Sequence, residues 1–197
     1  WEEAIGRFVS QDDKLGTTTD TVLFVGSSSI RLWDLTKSFP GINTRNRGFG
    51  GSELSDALIH YDKLVLPHQP RAILVYAGEN DLVNGETAAQ VVADWKKFAE
   101  RTRRKLPAAH LAYLPIKPSL GRWNLWPEMK KANEAIARLS TEDPHLHYLD
   151  TITPMLGKDG KPLQELFAKD HIHLNEAGYR KWTAVVRPWL EKLPKAG

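Results

Sequence analysis

Short apolar segments alternate with amphipathic helical patterns along most of this chain. The clearest are 21–25 and 72–76, whose almost unbroken apolar side chains are typical of strands buried on both faces of a sheet. This alternation predicts an α/β fold with a largely parallel sheet. The other predicted strands are 42–47, 110–116 and 146–149, and the predicted helices are 2–13, 52–65, 87–105, 127–140 and 175–192. Because 42–47 is polar, we expect that strand at an edge of the sheet.

Length and composition limit the class of protein. A chain of 197 residues that is 41% hydrophobic is sufficient for one domain, 1–197, with a sizeable core. The net charge is +3, and the densest cationic run, 96–105, lies opposite the apolar side of a helical pattern, so we expect a solvated face and no nucleic-acid partner.

No segment approaches 18 consecutive apolar residues, so we expect no membrane span. The absence of cysteine excludes disulfides, thiolate metal sites and cysteine catalysis.

The N-terminal residues bear on the cellular compartment of the protein. The chain begins at Trp1 directly in a helical pattern, and no signal-peptide pattern is visible in the sequence. A signal peptide removed before this point would make the protein secreted or periplasmic, and we favour this interpretation over a cytoplasmic one.

Two predicted caps fix the starts of helices. Thr87 and Gln90 have the spacing of a capping box, in which the two side chains satisfy free backbone N–H groups reciprocally. Asn175 can cap the last helix, with Leu174 and Tyr179 in the positions of a hydrophobic staple. The second cap is expected to make the chain rigid directly after His173.

Three serines follow Gly26 at the end of the first predicted strand. In open parallel sheets, ligands bind outside the carboxyl ends of the strands. A hydroxyl of Ser27, Ser28 or Ser29 would be exposed there, at the start of a helical turn whose backbone N–H groups point toward incoming negative charge. Serine is also a common helix cap, and this segment alone favours that simpler interpretation.

Asp170 and His173 favour a chemical role for the serine segment. A serine hydroxyl is a weak nucleophile until a base accepts its proton, and histidine is suited to this near neutral pH. A carboxylate three residues earlier can accept from Nδ1 and leave Nε2 directed at the serine. The alternative is a metal site, since His171 and His173, like His145 and His147, form an H-x-H pair. Without cysteine or an H-E-x-x-H pattern zinc is disfavoured, and we expect no metal or other cofactor.

Gly51 and Asn80 can donate hydrogen bonds to a developing negative charge. Gly51 follows a glycine-rich turn, where an unencumbered backbone N–H can approach an oxyanion closely. Asn80 follows the third predicted strand and offers a side-chain NH₂ group. Either residue alone is typical of an ordinary turn, but together with Ser28 and the Asp–His pair they indicate an oxyanion hole.

These segments together resemble the sequence blocks of the SGNH hydrolase family, also called GDSL-type esterases and lipases. The resemblance covers 21–182 and rests on Gly26-Ser27-Ser28, 46–51, Gly78-x-Asn80-Asp81 and Asp170-x-x-His173 followed by Leu174-Asn175. It implies a triad of Ser28, His173 and Asp170. It also implies an oxyanion hole formed by the N–H groups of Ser28 and Gly51 and the Asn80 side chain. The fold implied is a three-layer α/β/α sandwich with a five-stranded parallel sheet in the flavodoxin-like order 2-1-3-4-5.

The resemblance has one departure. The family's usual Gly-Asp-Ser is Gly-Ser-Ser here, so that Ser27 stands in the position of the aspartate while the nucleophile position is retained. The chain also lacks the G-x-S-x-G pattern of the α/β-hydrolase nucleophile elbow.

The favoured function is hydrolysis of carboxylic esters through an acyl-enzyme. Acyl transfer to a sugar or alcohol acceptor uses the same triad, because an acyl-enzyme can react with water or with another hydroxyl. A lysophospholipase-like lipid esterase is a further alternative. A non-catalytic binding module is disfavoured, because a binder has no need of all four functional groups.

A substrate rim is expected in the segment after the fourth predicted strand. Trp123 and Trp126, with Arg122 and Trp33, would form an aromatic and cationic rim suited to sugar rings and hydroxyl groups. No long apolar lid is evident, so we expect a short-acyl, acetyl-type esterase acting on a small-molecule or glycan ester. The alternative is that these tryptophans pack into the core.

Overall fold

The computed structural model describes residues 1–15 and 20–194. An all-parallel five-stranded sheet in the order β2-β1-β3-β4-β5 lies at its centre. The strands are β1 Val22–Gly26, β2 Thr44–Gly48, β3 Ala72–Tyr76, β4 His110–Tyr113 and β5 Leu146–Tyr148. The implied strand order is therefore confirmed, and the polar strand β2 lies at an edge as its composition predicted.

Helices connect the strands. They are α1 Glu2–Leu15, α2 Ser28–Arg31, α3 Leu35–Ser38, α4 Leu54–Ile59, α5 Tyr61–Leu64, α6 Glu79–Val83, α7 Ala88–Lys105, α8 Trp126–Leu139 and α9 Glu176–Lys192. The predicted helix 52–65 is wrong as one element. It is divided into α4 and α5 because His60 has φ −93° and ψ 10°, outside the α-helical region.

Alternate residues of the strands face opposite helical layers. Leu23 and Val25 of β1 pack in a cluster with α1, α4, α5, α7 and α8. Val22 and Phe24 pack in a second cluster with α2, α3 and α9. All four side chains are fully buried, so the sheet is covered on both faces and the three-layer sandwich is confirmed.

Helix α1 is held against the edge strand β2 by charged groups. Arg47 of β2 forms an ion pair with Asp12 of α1, and His68 Nε2 lies 3.3 Å from Asp12 Oδ2. Burial and the adjacent Arg47 lower the pKa of His68 to about 4, so this ring is neutral at neutral pH. The Asp12–Arg47 pair holds α1 against β2, because separating the two buried charges would leave each without its partner, which is strongly destabilising.

Both predicted caps are present. Thr87 N donates to Gln90 Oε1 at 2.7 Å, and Gln90 N donates to Thr87 Oγ1 at 3.3 Å. Asn175 Oδ1 accepts from Ala177 N and Gly178 N at 2.8 and 3.1 Å. The second cap fixes the start of α9 directly after the loop that approaches the candidate site.

Two expectations concern the chain as a whole. None of the helices in the described ranges has the length and apolar character needed to traverse a bilayer. The predicted single domain 1–197 also includes 16–19 and 195–197, which lie outside the described residues, and its extent stays a prediction.

Candidate active site

The candidate site lies at the carboxyl ends of the first three strands. Ser28 begins α2 after β1, Gly51 lies in the turn after β2, and Asn80 lies in α6 shortly after β3. Gly26 ends β1 with φ +141°, and a Cβ at this position would lie 2.0 Å from the Tyr76 backbone oxygen. Only glycine lets the chain leave the sheet here and begin α2 at once.

Ser28, His173 and Asp170 form a continuous chain of hydrogen bonds. His173 Nε2 lies 2.9 Å from Ser28 Oγ, and His173 Nδ1 lies 2.6 Å from Asp170 Oδ2. Ser28 is half-buried, whereas the neighbouring Ser27 and Ser29 are buried. The structure thus brings the three predicted catalytic residues together with a ring positioned between a hydroxyl and an orienting carboxylate.

The carboxylate of Asp170 is fixed by its own loop. Its Oδ1 accepts from Ile172 N and His173 N, both at 2.9 Å. The hydrogen bond from the His173 side chain, helped by these backbone donors, holds the pKa of Asp170 well below its usual range. The ionised carboxylate makes Nδ1 of His173 the donor, which leaves Nε2 of the neutral ring as an acceptor facing Ser28.

The three predicted oxyanion donors lie around one cavity. Ser28 N is at the start of α2, where it has no intrahelical partner. Gly51 has φ +79°, and its N–H makes no hydrogen bond with any described residue. Asn80 Nδ2 donates one hydrogen to the Ser52 backbone oxygen at 3.0 Å, which leaves its second hydrogen for another acceptor.

A buried network behind Asn80 was not predicted from the sequence. Asn80 Oδ1 accepts from Arg122 Nη1 at 3.2 Å, and the same nitrogen lies 3.3 Å from Glu79 Oε1. Glu79 also pairs with Lys117 and accepts from Tyr76 Oη at 2.6 Å. Arg122 therefore connects an ionic cluster to the Asn80 amide and holds its oxygen in a hydrogen bond.

The charges of this network are fixed by mutual pairing. The Glu79 and Lys117 side chains are only 4% and 1% exposed. Burial alone would raise the pKa of Glu79, but the charge and hydrogen bond of Lys117 hold it below its ordinary value. Burial lowers the pKa of Lys117, and the Glu79 carboxylate opposes that shift. With Arg122 included, the cluster carries a net positive charge.

A cavity of about 700 Å³, here called the catalytic cavity, opens onto this site. Helix α1 and the residue before it form part of its wall, through Trp1, Ala4, Arg7, Phe8 and Gln11. The indole of Trp1 contacts the Phe49 ring edge to face, and its Cη2 lies 3.1 Å from where a Cβ on Gly51 would stand. This wall was not predicted from the sequence. The amphipathic pattern of α1 indicates a helix that packs on the sheet, and it gives no sign that the helix also borders a cavity.

A second cavity of about 920 Å³ is also lined by His173, together with Asp170. It lies between the α3 region and α9, and its wall includes Leu174 and Tyr179. His173 therefore borders both cavities.

None of the three tryptophans predicted at the substrate rim lines the catalytic cavity, but Trp33 borders the second cavity with His173 and Asp170. Trp33 is 2% exposed and stacks on Tyr179 within the α9-side core, so burial of its large apolar ring prevails over a rim position. Trp123 and Trp126 stack on each other with ring planes 12° apart, and neither lines the catalytic cavity. Trp126 faces a different cavity beside α8. Of the four predicted rim residues, Arg122 is the one that lines the catalytic cavity.

Metal ligation was the alternative considered for the histidines. Within 1–15 and 20–194, no group of three or more His, Cys, Asp or Glu residues is placed to hold a metal ion. His147 instead packs against His110, with Nε2 3.0 Å from Nδ1, and burial lowers the pKa of His147 to about 4. The expectation that activity needs no metal or other cofactor stays a prediction.

Comparison with known structures supports the same fold. A candidate platelet activating factor from Streptococcus pneumonia has a TM-score of 0.86 and 18% identity, over 96% of this chain and 92% of that chain. A GDSL-like lipase from Bacteroides thetaiotaomicron has a TM-score of 0.81 and 18% identity, over 95% and 97%. A catalytic mutant of Axe2, an acetylxylan esterase from Geobacillus stearothermophilus, has a TM-score of 0.71 and 14% identity, over 90% and 96%.

Sequence comparison identifies the family. No curated protein matches the chain in sequence. The model of the GDSL-like Lipase/Acylhydrolase family matches residues 27–181, which is more than half of the chain and includes all the candidate catalytic residues. The chain therefore belongs to the GDSL-like lipase/acylhydrolase family of ester-hydrolysing enzymes.

Proposed function

We propose that this chain is a serine esterase that hydrolyses carboxylic esters through an acyl-enzyme. The observation that carries the proposal is the hydrogen-bonded chain from Asp170 through His173 to Ser28, with distances of 2.6 and 2.9 Å. A base held by a carboxylate and directed at a half-buried hydroxyl is the arrangement that nucleophilic catalysis by serine requires.

In the first half-reaction, Ser28 Oγ attacks the ester carbonyl carbon while His173 Nε2 accepts the hydroxyl proton. The carbonyl oxygen becomes an oxyanion, which the N–H groups of Ser28 and Gly51 and the Asn80 Nδ2 stabilise. The bond to the alcohol oxygen then breaks, and His173 returns its proton to the leaving alcohol. Ser28 is left acylated.

In the second half-reaction, a water molecule attacks the acyl carbon while His173 accepts its proton. Collapse of the second tetrahedral intermediate breaks the bond to Ser28 Oγ and releases the carboxylic acid, and His173 returns its proton to Ser28 Oγ. Asp170 is ionised at neutral pH, because its pKa is held well below its usual value.

The acyl group is proposed to be short, with acetyl the simplest case, and the alcohol to be polar, such as a carbohydrate. The Trp1 ring lies over Gly51, which limits the room beside the oxyanion donors. A protein with the same fold, Axe2, is an acetylxylan or acetyl-xylooligosaccharide esterase. The tryptophan positions do not support the sugar part of this proposal, so it depends on the polar side chains in the wall of the catalytic cavity, such as Gln11, Arg31 and Arg122.

Two alternatives use the same residues. Acyl transfer would replace water by a sugar or alcohol hydroxyl in the second half-reaction. A lysophospholipase-like activity is favoured by one observation, the cavity of about 920 Å³ beside His173 with Leu174 and Tyr179 in its wall. That cavity has room for a long alkyl chain.

A series of p-nitrophenyl esters from acetate to palmitate tests the proposal. We expect the highest kcat/KM with acetate or butyrate, and the activity should survive a chelator. A maximum at long chains would favour the lipid esterase instead, and acylation of an added sugar would favour transfer. Ser28→Ala should abolish the activity, whereas Ser27→Ala, which changes a buried neighbouring hydroxyl, should retain it. A wild-type protein that hydrolyses no ester would contradict the proposal and favour a binding module.

A further inference from the structure

The charged side chains that line the catalytic cavity are all cationic. Arg7, Arg31 and Arg122 contribute to its wall, and no aspartate or glutamate among the described residues does. Asp170 borders the second cavity instead. The cavity that contains the candidate nucleophile therefore favours negative charge in what it binds.

The three arginines differ in how far their charge is already compensated. Arg122 is paired with Glu79, and Arg7 lies 3.5 Å from Glu3 on the exposed face of α1. The guanidinium of Arg31 makes no hydrogen bond or ion pair with any described residue. Arg31 is thus the arginine whose donors are available to a ligand.

Arg31 also lies in the same short helix as the candidate nucleophile. It is three residues after Ser28 in the single turn of α2, and residues at this spacing lie on the same side of a helix. Its backbone N donates to Ser27 O at 3.1 Å, which fixes its Cα. A Cβ on Gly50 would lie 3.0 Å from Arg31 Nε and 3.4 Å from Nη2, so the guanidinium lies across the turn that carries Gly51.

We propose that the ester substrate carries an anionic group, a carboxylate or a phosphate, that Arg31 binds beside the oxyanion hole. The planar guanidinium suits both groups, because it can donate two parallel hydrogen bonds to their oxygens. The inference rests on the proposed esterase function and adds the charge of the substrate to it. An exposed arginine is ordinarily only solvated, and the case for Arg31 depends on its place in a cavity lined by two further arginines and no carboxylate.

The test compares esters that differ only in charge. The first pair is an O-acetylated methyl glucuronoside and its neutral methyl ester, with acetate release as the readout. The second pair places the charge on the acyl side, as 4-nitrophenyl hydrogen adipate and its methyl ester. We expect the wild-type enzyme to prefer the anionic member of one pair by about tenfold or more in kcat/KM, as befits a hydrogen bond to a charged group. Which pair shows the preference identifies the part of the substrate that Arg31 contacts.

Variants assign the preference to Arg31. Arg31→Gln should reduce the ratio of anionic to neutral kcat/KM by about tenfold, and Arg31→Lys should restore part of it. Arg104→Gln removes an exposed arginine of α7 far from the site and is the matched control for net charge, so the ratio should not change. In the wild-type enzyme the ratio should also fall with added salt, because screening weakens exposed charge pairs.

The outcomes separate this inference from the function on which it rests. Ser28-dependent hydrolysis of p-nitrophenyl acetate without an anionic preference in either pair would overturn the inference and leave the esterase function intact. An equal loss of preference in Arg31→Gln and Arg104→Gln would also overturn it, because the effect would then come from net charge. Absence of any Ser28-dependent ester hydrolysis would contradict the proposed function itself.

Discussion

Two acid–base pairs lie beside the catalytic cavity and differ in exposure and in origin. Asp170 and His173 are three residues apart in one loop, and their side chains are 45% and 32% exposed. Glu79 and Lys117 follow different strands, and their side chains are 4% and 1% exposed. The first pair contacts the candidate nucleophile directly, whereas the second approaches the site only through Arg122 and Asn80.

The difference matches two physical tasks. A catalytic base must gain and lose a proton in each turnover, which requires a site where both charge states of the ring are accessible. A buried carboxylate–ammonium pair cannot change charge without leaving its partner uncompensated, so its geometry stays fixed. We infer that the exposed pair carries out proton transfer, and that the buried pair keeps the oxyanion-hole amide of Asn80 in place.

The largest expected effect is a loss of activity, with little loss of stability, when the exposed Asp170–His173 pair is changed. Asp170→Asn should lower kcat for p-nitrophenyl acetate by about 10³–10⁴-fold, because the amide favours the wrong ring tautomer of His173. Urea unfolding at pH 7 should show a loss below about 1 kcal/mol, since water screens the pair. The folded-state pKa of Asp170 is lowered, so this small contribution is present above about pH 4, the ordinary aspartate value, and is lost as pH falls further.

Asp150 provides a matched control for this substitution. Its Oδ1 accepts from Ile152 N and Thr153 N, both at 3.0 Å, which is the same local arrangement without a histidine. Asp150→Asn should leave kcat nearly unchanged. If both variants lost activity equally, loop geometry and not the orientation of His173 would be the cause.

The buried pair should show the reverse behaviour. Glu79→Gln keeps the shape of the side chain but leaves the Lys117 ammonium buried without a counter-charge, and should lower the free energy of unfolding by about 3–5 kcal/mol. The double variant Glu79→Gln with Lys117→Met should recover much of this loss, as measured by urea unfolding. Glu134→Gln, in an exposed pair with Lys130, is the control and should change stability by less than about 1 kcal/mol. A similarly small effect of Glu79→Gln would remove the contrast between the two pairs.

A smaller effect on kcat is expected at Arg122, which connects the buried Glu79–Lys117 pair to Asn80. Arg122→Met removes the donor to Asn80 Oδ1 and should lower kcat by about tenfold. This loss is smaller than the loss of about 10²–10³-fold in kcat that is expected when Asn80 itself is replaced by Ala. In the Asn80→Ala background the Arg122 substitution should have little further effect on kcat. Additive losses in the double variant would show that Arg122 does not act through Asn80.

The same contrast explains how much of the molecule could be predicted from sequence. The sheet was predictable because its buried strands are continuous apolar segments, and the placement of Asp170 beside His173 follows from a spacing of three residues. The network of Glu79, Lys117 and Arg122 was not predictable, since Glu79 lies 38 residues from Lys117 in the chain and each member is an ordinary charged residue alone.

The positions of the predicted rim tryptophans differ from expectation for a related reason. A tryptophan in a loop suits a substrate rim and a core equally well, because its large ring stabilises either. Trp33 is buried because α9 supplies aromatic partners, and these partners come from the opposite end of the chain. Trp1 lines the catalytic cavity because α1 is held there by core packing of Ile5, by the contact of Trp1 with Phe49 and by the Asp12–Arg47 pair.

Covalent labelling of the nucleophile tests the central claim most directly. The protein is treated with a fluorophosphonate, and the site of modification is identified by intact-mass and peptide mass spectrometry. We predict one adduct per chain on Ser28, none in Ser28→Ala, and slow labelling in His173→Ala, because the base activates the hydroxyl. Labelling of Ser27 or Ser29, or ester hydrolysis that persists in Ser28→Ala, would contradict the assignment of Ser28 as the nucleophile.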